Sequence, residues 1–224
     1  MKKILFVTDF SENSKKSFAY ALQFAKQYNA EISLVHIYKK PRSYDDPYKE
    51  YTVQQEKIEI AAARGRLDEM YESFRSEGDI MSRVSYKLVN EPSPIRGIFD
   101  TIQKDQPDVL MLSTIGDNVA PVFVFGTILK QLVRECPIPV LTIPPEAKFR
   151  DISKVLFTTN YNMDDLLAMK ELIHLLDPVQ PEIKMAHVRT YSEVVGGVSG
   201  EPFWEKVRAE VDYDKIKYEV MNGK

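Results

Sequence analysis

Two short stretches hold the residues best suited to chemistry. They are Val7-Thr8-Asp9-Phe10-Ser11 and Ser113-Thr114-Ile115-Gly116, the second followed after nine residues by Gly126-Thr127. A glycine opening a helix lets backbone approach a ligand closely, and the N–H groups there lie at the positive end of the helix dipole, which suits a phosphate. The Thr127 hydroxyl would add a donor. The Asp9 carboxylate could accept from a ribose hydroxyl or help hold a metal. A plainer reading makes Asp9 and Ser11 turn and cap residues and Gly126 a packing glycine. On spacing alone that plainer reading is preferred, because single glycines are a weak signal. No general base stands beside a nucleophile, so no catalytic residue is assigned and the chain is not read as an enzyme.

These residues need strands to carry them. Ile4 to Val7 is a continuous apolar run of the kind buried on both faces of a parallel sheet. Ser11 then caps a helix whose apolar face is Phe18, Ala21, Leu22 and Ala25, with Asn29 as its stop. Glu31 to Tyr38 is a second strand, and residues 39–50 read as a loop. A long helical pattern runs from Tyr51 to Ser76, with Ile58, Ala61, Ala62, Met70 and Phe74 toward the core and Gly65 as a point of interruption. Arg83 to Val89 alternates as a strand. Ser93-Pro94 opens a helix with Ile95, Ile98, Phe99 and Ile102 inward. Val109 to Leu112 and Pro139 to Ile143 are further strands, with a helix around Gly126 to Glu135 between them. Alternating strands and helices predict an α/β fold, a doubly wound parallel five-stranded sheet of Rossmann-like order 3-2-1-4-5. In that order ligands bind beyond the carboxyl ends of strands one and four, where the two stretches meet.

After Arg150 the pattern starts again. Lys154-Val-Leu-Phe-Thr-Thr-Asn160 parallels Lys3-Ile-Leu-Phe-Val-Thr-Asp9 at an offset of 154 − 3 = 151, which also carries Ile32 to Ile183 and His36 to His187. Val84-Ser-Tyr86-Lys-Leu88 is echoed by Ile216-Lys-Tyr218-Glu-Val220 at an offset of 216 − 84 = 132. The expected domains are therefore 1–148, a complete α/β unit, and 149–224, an incomplete and degenerate second copy. Asn160 stands where Asp9 does, and the glycine loop has no second version, so a second working site is not expected.

Composition excludes several classes. The 224 residues carry a formal net charge of −3 with both signs interspersed, which offers no basic face for nucleic acid. A single cysteine, Cys136, rules out an internal disulfide and points to a reducing, cytoplasmic setting. No stretch is long enough for a membrane span, and Asp9 cuts the first apolar run too short for a signal peptide. Three histidines, His36, His174 and His187, are too scattered for a metal cluster, and satisfied core positions are expected for the two in strands.

The segments Lys3-Ile-Leu-Phe-Val-Thr-Asp9-Phe-Ser11, Leu34-Val-His36-Ile37, Gly126-Thr127 and Arg134-Glu-Cys136-Pro-Ile-Pro139-Val-Leu-Thr-Ile-Pro144 resemble the universal stress protein family, in a tandem arrangement with a shortened second unit. That resemblance implies that Thr8, Asp9 and Ile37 line the adenine and ribose side of a site, with Gly116, Gly126 and Thr127 around the phosphates. The implied cofactor is ATP or another adenine nucleotide, accompanied by Mg. Ser113 stands where nucleotide-binding members have the first glycine of Gly-x-x-Gly, and the loop at 117–125 lacks their basic and small residues. A second reading therefore stays open, a protein–protein adaptor whose pocket is filled by Val119, Phe123 and Phe125. The resemblance also implies a homodimer through the edge strand Val140 to Ile143, together with a protein partner that the sequence does not name.

Overall fold

The computed structural model describes residues 2–39, 49–114, 127–189 and 200–222. The chain divides into two compact units, Met1–Phe149 and Arg150–Lys224. In the first unit, β1 (Lys3–Val7), β2 (Glu31–Tyr38), β3 (Val84–Asn90), β4 (Val109–Ser113) and β5 (Val140–Ile143) form one parallel sheet in the order β3-β2-β1-β4-β5. The anticipated doubly wound fold is the observed one.

Alternation along β1 divides the core. Phe6 meets Phe18 of α1 (Glu12–Tyr28) edge to face at 5.1 Å, and Phe18 in turn meets Phe74. Leu5 points the other way, into a cluster with Val35, Ile98 and Ile102 of α3 (Pro94–Asp105), Leu110, and Leu132 of α4 (Thr127–Glu135). Ser11 caps α1 by accepting from the Ser14 N–H, and Asn29 ends it in the left-handed conformation at φ 51°. Phe18, Ala21, Leu22 and Ala25 are all fully buried.

The α2 helix (Lys49–Ser73) continues through Gly65, and a 3₁₀ segment (Arg75–Arg83) follows it. Its inward stripe differs from the expected one. Ala63, Leu67 and Met70 are buried, whereas Ala61 and Ala62 are exposed and Ile58 is 54% exposed. The sequence offered apolar residues on two adjoining stripes, and packing selected the one nearer the helix's C-terminal half.

The second unit holds a three-stranded parallel sheet, β6 (Lys154–Thr158), β7 (Glu182–Arg189) and β8 (Ile216–Asn222), in the order β6-β7-β8. Helices α5 (Met163–Leu176) and α6 (Glu201–Glu210) complete its described elements. Its core joins Leu166, Met169, Ile183, Met185, Phe203, Val207 and Val211. Both sequence offsets reappear in the register. Leu34 pairs with Tyr86 in the first unit, and Met185 pairs with Tyr218 in the second.

Candidate functional site

Parallel pairing of β1 with β4 puts their carboxyl ends side by side. The α4 helix must run back toward the start of β5, so its N-terminus faces that same end of the sheet. Thr127 opens α4, and Ser113 closes β4, paired with Ile143. Gly116 and Gly126 lie outside the described residues, as does the side chain of Thr127.

The tip of β1 is built residue by residue. Thr8 is 2% exposed, and its hydroxyl is fully engaged. It accepts from the Ser14 hydroxyl at 2.9 Å and the Phe10 N–H at 3.0 Å, and it points at Met70 Sδ at 3.5 Å. That makes Thr8 an organiser of the turn rather than an open donor. Phe10 takes the left-handed conformation at φ 65°, which projects its ring onto the His36 imidazole at 4.2 Å between centroids. The Arg66 guanidinium of α2 lies over the Phe10 ring at 4.8 Å, in cation–π range. His36 Nδ1 donates to the Thr8 carbonyl at 2.8 Å, which requires the Nδ1–H form. Burial is the main influence holding His36 below its ordinary value; its bond to Thr8 opposes this, while the Arg66 charge reinforces it.

Asp9 is exposed, and its Oδ1 accepts from the Ser11 N–H at 3.0 Å. Ile37 is half-buried and pressed against α3. A Cβ on Gly97 would come within 2.9 Å of Ile37 Cγ2 and 3.1 Å of its Cδ1. Of the expected set, Thr8 and Asp9 are therefore together at the β1 tip, Ser113 ends the adjacent strand, and the Ile37 side chain faces a helix. Among the described residues, no group of three or more His, Cys, Asp and Glu side chains is placed to hold a metal ion. No helix there is long and apolar enough to cross a membrane.

The same tip is assembled again in the second unit. Tyr161 is left-handed at φ 63° and packs tilted against His187 at 4.1 Å between centroids. His187 Nδ1 donates to the Thr159 carbonyl at 2.7 Å, and the Tyr161 N–H donates to Thr159 Oγ1 at 2.9 Å. Here, however, Tyr161 extends to Tyr218, hydroxyl to hydroxyl at 2.8 Å, and both rings close on Gly200. Sequence reasoning noted the two histidines but missed the aromatic partners. Phe10 and Tyr161 stand at the same offset as His36 and His187, and that coincidence was the available signal.

The family model described as the universal stress protein family matches residues 1–144. This chain belongs to the universal stress protein family. Among solved structures, universal stress protein UspA from Lactobacillus plantarum is 18% identical with a TM-score of 0.54, covering 63% of this chain and 97% of that one. A putative universal stress protein from Pseudomonas aeruginosa UCBPP-PA14 is 16% identical with a TM-score of 0.60, covering 99% of this chain and 74% of that one. One from Archaeoglobus fulgidus DSM 4304 is 15% identical with a TM-score of 0.55, covering 99% and 79%. At these identities the likeness shows a shared fold. No curated protein matches the chain.

Proposed function

We propose that this universal stress protein is a regulatory module binding one adenine nucleotide, ATP or a close relative with its Mg, at the carboxyl ends of β1 and β4, without robust catalysis. The reading rests above all on the Asp9 carboxylate, which the Ser11 N–H holds at the β1 tip on an exposed residue. An acceptor held in this way suits a ribose hydroxyl. The N-terminus of α4 offers the adjoining face to phosphates. Unit 2 is read as a shortened copy without a second site, its equivalent tip carrying Asn160 and occupied by Tyr161 and Tyr218. The setting proposed for this module is the cytoplasm.

Native mass spectrometry tests the reading. The expected result is a nucleotide-sized increment on the wild type, with affinity lowered about ten-fold or more in Asp9→Ala, the loss of one charge-assisted hydrogen bond. Full retention by Asp9→Ala would remove the assigned role. No binding of ATP at millimolar concentration would favour the second reading, a non-nucleotide adaptor. One observation supports that alternative: Thr8, Phe10 and Ile37 are already satisfied by protein groups. Its proposed filling residues, Val119, Phe123 and Phe125, lie outside the described residues.

Homodimerisation through β5, the last strand of its sheet, belongs to the same proposal. Val140→Lys should then lower the mass seen by light scattering, and a wild-type monomer at micromolar concentration would exclude it.

A further inference from the structure

We infer that the cavity between α6 and the start of β8 binds a free apolar α-amino acid, the size of leucine or isoleucine. The cavity measures about 240 Å³, below the roughly 300–1,000 Å³ of drug-sized sites, so it suits a small metabolite. It lies at the amino end of β8, at the opposite end of the sheet from the strand tips that correspond to the proposed nucleotide site.

Its origin is a shortened connection inside the unit. In unit 1, residues 74–83 join α2 to β3, and Ile80 and Met81 of that 3₁₀ segment are buried. In unit 2, residues 211–215 join α6 to β8, and of these Val211 alone is buried. The Tyr213 hydroxyl donates to the Pro181 carbonyl, which anchors the short link beside the amino end of β7. Ile216 and Tyr218 share one face of β8 and pack toward Phe203 and Trp204, so the cavity sits on the side that carries α5 and α6. In unit 1 the matching side is the Phe6 face, filled by α1, α2 and the 3₁₀ segment. There α3 and α4 lie on the opposite, Leu5 face, and β4 and β5 lie beyond β1.

The walls divide by chemistry. Val207, Val211 and Ile216 are branched aliphatic groups that complement an apolar side chain, and Trp204 adds an aromatic wall. Arg208 and Asp214 line the same cavity with opposite charges that are not paired with each other. The exposed Arg208 guanidinium lies over the Trp204 ring at 5.5 Å, and its ion pair with Glu201 is a long one at 3.8 Å. The exposed Asp214 carboxylate makes no hydrogen bond or ion pair among the described residues. A cation and an anion flanking an apolar hollow match one compact class of ligand, the amino-acid zwitterion. Its carboxylate pairs with Arg208, whose planar fork suits two parallel hydrogen bonds. Its ammonium pairs with Asp214, and its side chain displaces water from the three aliphatic residues. A simple fatty acid would leave Asp214 unanswered, and a simple amine would leave Arg208 so.

Trp204 lines the cavity and is the chain's single tryptophan, so its emission reports occupancy directly. The full-length protein titrated with L-leucine should show a saturable emission change and a matching heat by calorimetry. N-acetyl-leucine, which lacks the cation, and leucinamide, which lacks the anion, should each bind about ten-fold more weakly. Arg208→Gln should weaken leucine about ten-fold and leave leucinamide unchanged. Asp214→Asn should weaken leucine to a similar extent and leave N-acetyl-leucine unchanged. Both residues are exposed, and circular dichroism checks that each variant folds. No saturation by leucine, isoleucine or valine at millimolar concentration, in either readout, would overturn the assignment. So would equal affinity for leucine and its two blocked forms, or variants that bind leucine as the wild type does.

Discussion

Phe10, at φ 65°, stands where glycine or asparagine would be less strained, and its return is contact with His36 and Arg66. Titration of His36 should therefore report on the tip. Its folded value lies below the ordinary 6.5, chiefly through burial, with Arg66 lowering it and Asp9 raising it. Between the depressed value and 6.5 the unfolded chain binds more protons. Stability from this group is thus present above 6.5 and is lost as pH falls through that window. By NMR, Arg66→Ala should move the His36 titration up and Asp9→Asn should move it down. Movement in the same direction would show that Arg66 and Asp9 do not act on it through their charges. Met70 is 1% exposed and supports the Thr8 hydroxyl, so Met70→Ala should cost about 2–5 kcal/mol in denaturant unfolding. The chemistry of Asp9 and Ser11 was legible because local turn and cap rules govern them. The engagement of Thr8 was not, since Ser14 and Met70 reach it only once α1 and α2 are packed.

At the scale of elements, two glycines set how closely parts approach. Gly97→Ala would drive a methyl into Ile37 and Glu91, and α3 would have to shift from β2. A loss of about 1–3 kcal/mol is expected by thermal unfolding, and a neutral result would mean that the interface gives freely. At Gly200 a Cβ would sit 2.0 Å from Tyr218 Oη and 2.4 Å from Tyr161 Oη, so Gly200→Ala must break the tyrosine pair. The aromatic packing around Trp204, which stacks on Tyr218 at 5.6 Å, should loosen with it. Its fluorescence emission would shift red, and an unchanged spectrum would contradict this. Strand and helix identities followed from periodicity, and the caps Ser11, Asn29 and Ser93 from residue type. The inward stripe of α2 did not follow, because apolar residues at 58, 61 and 62 had the right period but are exposed among the described residues.

At the scale of the whole molecule, the single tryptophan, Trp204, lies in unit 2, whereas the proposed nucleotide site lies in unit 1. Saturating ATP, at about a hundred times its dissociation constant, should stabilise the first unit by about 2.7 kcal/mol. For units that unfold independently, circular dichroism should register the shift while the Trp204 transition stays in place. A shift of the Trp204 transition alone would put the ligand in the second unit. The sequence by itself determined the doubly wound sheet and its strand order, because apolar period and local chain signals are properties of contiguous residues. Only the tertiary structure decided that Thr8 is consumed by its neighbours and that Phe10 and Tyr161 cover paired histidines. Those are relations between residues distant along the chain, and they acquire an energy only when folding brings the partners within reach.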